Sequence, residues 1–421
     1  MYALSPARER RLVWLLALVQ FTLIMDFMVM MPLGPQIMDA FGISPAAFAM
    51  AVSAYSWCSG LSGLFAATFI DRFDRRRLLL VVYTLFALSN LGCALAPSLP
   101  LLLAARAFAG ITGGWLGANV MAIVADVVPV ERRGTASGII MTGFSIAAIA
   151  GVPVGVLVGA HFGWSSAFWL LAALCAIIGC TVANVVPPLS EHLRTRAPVP
   201  MREAVPALGR LLFLPRHLKA FVLTFLMMLA HMLLIPFISP MLVANHQVPP
   251  GHLSWMYMAG GAATLYTSRA VGRLADRYGH RRIFRIFGVL SIAPALFITH
   301  LPNLPYVAVL PFFALFMVIS SGRMVPMQAI LTTVPAPAVR GAFLSANNAV
   351  QALAGGCGAW LGGLLLSTDT AGHLIGYGTN GWISVALAAL ALVWVGRVAA
   401  QPREGAPEQP AKPQPQLAGE A

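Results

Sequence analysis

The sequence predicts an all-α polytopic membrane protein: twelve transmembrane helices in two six-helix bundles, related by a pseudo-twofold axis along the membrane normal. Three observations carry that expectation. Apolar runs recur along the chain at about the 20 residues a bilayer-spanning helix needs. The arginines that lie in loops fall only in alternate loops. A charged motif recurs at an offset of 205 residues, at the same place in each half of the chain.

Composition bounds the class. The chain has 421 residues, is 59% hydrophobic and only 10% charged, with a mean hydropathy of +0.80. A soluble domain carries about a quarter charged residues. A large soluble helical core would show amphipathic stripes with polar outer faces. Stretches such as Leu78–Pro97 and Ser137–Val158 are apolar all round instead. The five cysteines, Cys58, Cys93, Cys175, Cys180 and Cys357, all lie in apolar runs and read as small packing residues rather than disulfides or metal ligands.

The spans follow in order. The first, 12–36, is preceded by Arg8, Arg10 and Arg11, contains Asp26 and lacks a small-residue cleavage site, so it reads as a retained helix rather than a signal peptide. The second, 46–70, is followed by Arg72, Arg75, Arg76 and Arg77; the third is 78–96. The fourth, 99–126, leads to Arg132 and Arg133, with 135–159 and 164–186 completing the first half. The stretch 187–219 is the one long internal polar loop and holds Arg194, Arg196, Arg202, Arg210, Arg216 and Lys219. The second half runs 220–243, 254–275, 283–300, 304–330, 341–366 and 374–397, with Arg277, Arg281, Arg282 and Arg285 after its second span, Arg340 after its fourth, and Arg397, Arg403 and Lys412 at the end of its last. The loops around Asp39, Pro97, His161, His246, Asn303 and Asp369 contain no lysine or arginine. This is the positive-inside pattern. It places 1–11, the linker 187–219 and the tail 398–421 in the cytoplasm of a bacterial-type inner membrane, with bundles at 12–186 and 220–397. The Pro-, Gln- and Glu-rich tail is expected to be disordered. The net charge of +13 is thereby topology and not a nucleic-acid footprint.

The internal repeat supports two homologous bundles. Ile70-Asp71-Arg72-Phe73-Asp74-Arg75-Arg76 returns as Ala275-Asp276-Arg277-Tyr278-Gly279-His280-Arg281, and Pro129 with Arg133-Gly134 returns as Pro335 with Arg340-Gly341. Parallel repeats of this kind are a transporter architecture with the substrate site between the halves, near mid-bilayer.

The segment Gly272-Arg273-Leu274-Ala275-Asp276-Arg277-Tyr278-Gly279-His280-Arg281 resembles the signature loop of the major facilitator superfamily, roughly G-x-L-a-D-r-x-G-r-[KR]. The first-half copy, with Asp71, Arg72 and Arg75, departs from it: Ala67 and Asp74 stand where the family has glycines. Arg106-Ala107-Phe108-Ala109-Gly110 resembles the family's helix-four motif. Gly151-Val152-Pro153-Val154-Gly155, flanked by Gly143 and Gly159, resembles the helix-five motif of its proton-coupled antiporters, which the likeness suggests seals the half-interface. The resemblance spans about residues 12 to 397 and is strongest to twelve-helix drug:proton antiporters, including bacterial sugar- and drug-efflux permeases. It implies a secondary active transporter working by alternating access, with a proton as coupling ion, no cofactor, and export of a drug, sugar or metabolite. Proton-coupled uptake and a non-transporting sensor remain open alternatives. No loop carries a nucleotide-binding P-loop, a catalytic nucleophile constellation or metal-ligand spacing, so neither an enzyme nor a nucleotide-driven pump is expected. The expected partners are a small-molecule substrate and membrane lipid, and a monomer suffices.

Charge placement singles out the residues that can do chemistry. Asp71 and Asp276 end helices two and eight. Each can face the positive N-terminus of a helix in the other half, near Gly341 and Gly134 respectively, for about 0.3–1 kcal/mol. Asp126 can accept from Arg75 and extend that latch. The same charges would also serve simply to stop helices at the interface. Of the fourteen acidic residues only Asp26 lies near the middle of a span. It sits about 20 Å from the cytoplasmic end of helix one, and Arg106 about 12 Å from the opposite end of helix four. In a core of about 30 Å the two depths nearly coincide. Burial raises a carboxyl pKa and a neighbouring arginine lowers it, so Asp26 can carry the coupling proton with Arg106 tuning it; a static ion pair is the competing reading. His231, 205 residues after Asp26, is its counterpart in helix seven and a candidate proton relay, or an ordinary buried histidine. Arg323, beside Pro326, either lines the cavity or snorkels to the interface. Methionines around Asp26 and His231, with Tyr55, Trp57, Trp115, Phe237 and Tyr257, can wall an adaptable apolar cavity or simply pack.

Overall fold

A computed structural model describes residues 5–191, 193, 201–302 and 304–398. The expected disordered tail lies, from residue 399 on, outside the described residues. Helix one is Pro6–Val29 continued by Gly34–Phe41, helix two Pro45–Phe69, helix three Arg75–Ala94 and helix four Leu99–Val127. Helix five runs from Arg133 to Phe162 and helix six is Ser165–Val185. Helix seven is Pro215–Met232 continued by Ile235–His246, helix eight Pro250–Tyr278, and helix nine His280–Leu290 continued by Ile292–Thr299. Helices ten, eleven and twelve are Tyr306–Thr332, Arg340–Leu364 and Tyr377–Trp394.

Among the described residues nine of these are both long and apolar enough to cross a membrane. Helices two, eight and eleven, at 25, 29 and 25 residues, have the length but carry more small and polar residues. Their packing supplies the reason. Ser53 Oγ of helix two donates to the Gly356 carbonyl of helix eleven at 2.8 Å, and a Cβ at Gly261 of helix eight would meet Ala148 of helix five. These helices bury a face against the other half, where close backbone approach favours glycine, alanine and serine over lipid-like side chains. Counting them, the architecture is consistent with twelve spans.

Prolines break the repeat-related first and seventh helices at matching depth, Pro32 after Val29 and Pro236 after Met232. A break within a bilayer frees carbonyls that must be satisfied by protein. At helix seven this falls to helix twelve. Asn380 Nδ2 donates to the Leu233 carbonyl at 3.1 Å, and to that of Gly362 in helix eleven at 3.0 Å, Tyr377 to Leu234 at 3.0 Å and Ser384 to Ala230 at 2.7 Å. On the arginine-poor face, Ser367–Thr368 pairs antiparallel with Leu374–Ile375, and Asn245 at the end of helix seven exchanges two hydrogen bonds with Leu374.

Two expectations are corrected. The linker is not wholly loop: Met201–Phe213 is an amphipathic helix, with Leu208, Leu211 and Leu212 at helical spacing, and helix seven begins at Pro215 rather than 220. Pro206 and the arginines obscure that periodicity in the sequence. Nor do the helix-five glycines face the other half. Cβ atoms at Gly143, Gly151, Gly155 and Gly159 would meet Ala17, Phe21, Val29 and Leu33 of helix one. The glycines seat helix five within its own bundle, and Ala148 and Ile149 on another face meet helix eight. Pro153 lacks the N–H that an α-turn would use, and the preceding turn Ala147–Gly151 widens to a π-turn, with Val152 N–H donating to the Ala147 carbonyl.

Candidate functional site

Arg106 begins the site. Gly110, one turn further along helix four, lets helix two approach until a Cβ there would lie 2.3 Å from the Tyr55 carbonyl oxygen. That approach brings the Tyr55 ring under the guanidinium, 4.4 Å from centroid to Cζ, while Phe168 of helix six stands 5.9 Å away. Phe27 stacks on Tyr55 at 5.7 Å. Within this aromatic frame, which excludes water and favours a cation over a ring face, Arg106 Nη1 donates to Asp26 Oδ1 at 2.7 Å. Both residues are fully buried. Two polar atoms of the pair have no partner, Asp26 Oδ2 and Arg106 Nε. A buried carboxylate with one bonded and one open oxygen has a place for a proton, and the guanidinium retains a donor for a second ligand.

The other cavity candidates gather in the C-terminal bundle. Arg323 is 5% exposed and donates from Nη1 to Ser291 Oγ at 3.2 Å; it does not snorkel to the interface. His231 is half-buried and within electrostatic reach of Arg323. Trp57 of helix two stands edge-on to Trp360 of helix eleven, with centroids 6.0 Å apart, at the seam between the halves.

On the arginine-rich face, Arg75 is nearly buried and ties three segments. Nε donates to Asp126 at 2.9 Å, Nη1 to the Ile70 carbonyl at 2.9 Å and Nη2 to Asp71 at 2.5 Å. Arg72 lies in the 3-10 turn Ile70–Arg72 that leads into this network. Asp74, where the family pattern has glycine, caps helix three by accepting from Arg77 N–H at 2.7 Å and also accepts from Leu189 N–H at 3.1 Å. The second copy is built differently. Gly279 adopts φ +92°, a conformation that favours glycine. Arg281 donates to the Val398 carbonyl, Arg277 lies over its neighbour Tyr278, and a Cβ at Gly272 would meet only Val325, at 4.0 Å.

The latches across the halves are not made in this conformation. Asp71 and Asp276 are 71% and 79% exposed. Nothing lies within 4 Å of a Cβ at Gly134 or Gly341. On the opposite face the halves touch closely: Gly34 of helix one lies against Pro240 of helix seven, and Gly363 of helix eleven against Ala49 of helix two. The molecule is therefore closed at the arginine-poor face and parted at the arginine-rich one.

Three residues of the site carried little sequence signal. Tyr55 was legible only as one aromatic among several; its place depends on Gly110. Phe168 belongs to an outer helix, and Ser291 is one serine at a helix break.

Comparison with known proteins points one way. A family model described as Major Facilitator Superfamily matches residues 16–219 and again 220–419. A probable sugar efflux transporter of Helicobacter pylori (strain G27) is 26% identical over 361 residues, covering 85% of this chain and 88% of the relative. A chloramphenicol resistance protein of Streptomyces lividans is 26% identical over 366 residues, with coverage of 85% and 88%. Among solved structures, a bacterial homolog of the human lysosomal transporter Spinster, inward-facing and occupied, superposes with a TM-score of 0.76 at 14% identity, covering 94% of this chain and 97% of that one. A D-xylose-proton symporter gives 0.73 at 17% identity, with coverage of 91% and 96%. At such identities these two likenesses concern the fold alone.

Proposed function

The chain belongs to the major facilitator superfamily, a family of membrane transporters rather than enzymes, and from that premise we propose that it exports a small organic molecule in exchange for protons. The arginine-rich face is the cytoplasmic one, both termini lie there, and the membrane is a bacterial inner membrane. One observation supports the coupling most strongly. Asp26 is the only buried Asp or Glu among the described residues, and one of its oxygens is unpartnered beside a buried arginine.

In this reading a proton arriving from outside binds Asp26 Oδ2 and neutralises the carboxylate. Arg106 then loses its counter-charge and the site changes its preference for the substrate. Loss of the proton to the cytoplasm restores the pair. The halves rock about the seam of helices two and eleven, and the Asp71 and Asp276 latches form when the cytoplasmic face closes. The direction of transport rests on relatives called sugar efflux and chloramphenicol resistance proteins; the fold itself is shared with a symporter.

Proteoliposomes containing a pH-sensitive dye, under an inward proton gradient, test the proposal. A panel of sugars, chloramphenicol, lipophilic cations and small acids is added in turn. At least one compound is expected to drive proton movement that vesicles without protein do not show. A substrate that crosses without any proton movement would overturn the antiport mechanism.

A further inference from the structure

The C-terminal bundle holds a cation with no matching anion. Arg323 is 5% exposed, its Nη1 is engaged by Ser291, and its Nε has no hydrogen-bond partner. The Ser291 hydroxyl donates to the Gly288 carbonyl at 2.7 Å, so toward Arg323 it acts only as a neutral acceptor. Ser291 also ends the helical segment His280–Leu290. The C-terminal end of that helix offers about half a negative charge at most. His231, the nearby titratable group, adds positive charge or none. Among the described residues the acidic side chains of this half are Asp276, exposed in the last turn of helix eight, and Asp369, in the loop at the opposite face.

The first half solves the same problem differently. There helix four supplies Arg106 and helix one supplies Asp26. In the second half helix ten supplies Arg323, and helix seven carries His231 at the position matching Asp26. The acid is missing. A charge inside a membrane protein is costly without a partner, and an arginine fork with a free Nε edge suits a carboxylate or similar oxyanion.

We propose that Arg323 receives the anionic group of the transported molecule, making the substrate an organic anion or a zwitterion whose carboxylate or similar oxyanion enters beside Ser291. This rests on the transporter reading above, but its test reads binding. A failure of proton coupling would leave that test untouched.

The experiment is thermal melting of the purified protein, followed by tryptophan fluorescence. It uses matched pairs, glucuronate with glucose and benzoate with benzamide, together with inorganic phosphate, each against equimolar chloride. At least one oxyanion is expected to raise the wild-type melting temperature where its neutral partner or chloride does not. In Arg323→Gln its affinity should fall by about tenfold to a hundredfold, the worth of a charge-assisted hydrogen bond, and Arg323→Lys should retain part of it. Without ligand, Arg323→Gln should melt at or above the wild-type temperature, since it removes an uncompensated charge. The proposal is overturned if no oxyanion protects the wild type beyond chloride. It is overturned equally if protection survives in Arg323→Gln, or if that variant alone melts well below the wild type, as loss of a structural brace would require.

Discussion

Gly110→Ala is the substitution whose cost can be worked most directly from the packing. An added Cβ would sit 2.3 Å from the Tyr55 carbonyl oxygen and 3.0 Å from two further backbone atoms of that residue. Carbon contacts are comfortable only from about 3.5 Å. Helix two would have to retreat by about 1 Å, and backbone cannot swing aside as a side-chain tip can. Overpacking of this kind costs about 1–3 kcal/mol. The retreat also draws the Tyr55 ring away from Arg106 and loosens the frame around the Asp26 pair. Gly110→Ala should therefore melt several degrees below wild type and transport poorly. Gly341→Ala, with nothing within 4 Å of its Cβ, should keep the wild-type melting temperature in this conformation. Melting by tryptophan fluorescence, with transport in vesicles, reads both variants. Equal melting and full transport in Gly110→Ala would refute the claim that this glycine sets the distance between helices two and four.

Other outcomes follow from single contacts. Asp26→Asn leaves Arg106 buried without a counter-charge and should cost about 3–5 kcal/mol, while adding Arg106→Gln should recover most of it; additive losses in a thermal-melting cycle would contradict the pairing. Asn380→Leu strips the donor from the Leu233 carbonyl at the helix-seven break and from the Gly362 carbonyl of helix eleven, at about 1–3 kcal/mol each, and should lower the melting temperature more than Ser384→Ala, which strips one. Outside the membrane, the backbone N–H of His373, with that of Ala371, holds the Asp369 carboxyl below its ordinary value. That contribution is complete above the unfolded value of about 3.9 and is lost as pH falls through the lower folded value. The hydrogen-exchange protection of the His373 amide should fall with it, and Asp369→Ala should remove the pH dependence; protection in Asp369→Ala equal to that of the wild type at neutral pH would contradict this.

Much of this architecture could be read from the chain because a bilayer leaves few options. Helices three, four and six must be apolar all round, and the arginines must alternate. The Asp26–Arg106 pairing was accessible for a similar reason, since 1.5 Å per residue turns sequence position into depth. What was not legible depends on which neighbour a helix meets. The glycines of helix five mark a close approach without naming the partner, which is helix one. Their likeness to an interface-sealing motif pointed to the other half, where Ala148 and Ile149 make the contact instead. The breaks in helices one and seven lie within continuous apolar runs, and only Asn380, Tyr377 and Ser384 on a distant helix show how the freed carbonyls are satisfied. The linker helix Met201–Phe213 was hidden by Pro206 and by the arginines that marked the segment as cytoplasmic. The latches expected of Asp71 and Asp276 are not made here, where both carboxylates are exposed; a contact across the halves depends on how the bundles are disposed, which sequence position alone does not fix.

The central claim is that Asp26 couples proton and substrate movement and is more than a brace between helices one and four. Counterflow and uphill transport, measured on the same Asp26→Asn vesicles, separate the two roles. Once a substrate is in hand, the variant should still exchange labelled for unlabelled substrate across the membrane. It should fail to accumulate substrate against its gradient when a proton gradient is imposed. Uphill accumulation at the wild-type rate in Asp26→Asn would contradict the account, and loss of exchange and accumulation together in a variant that is still folded at the assay temperature would count against it as well.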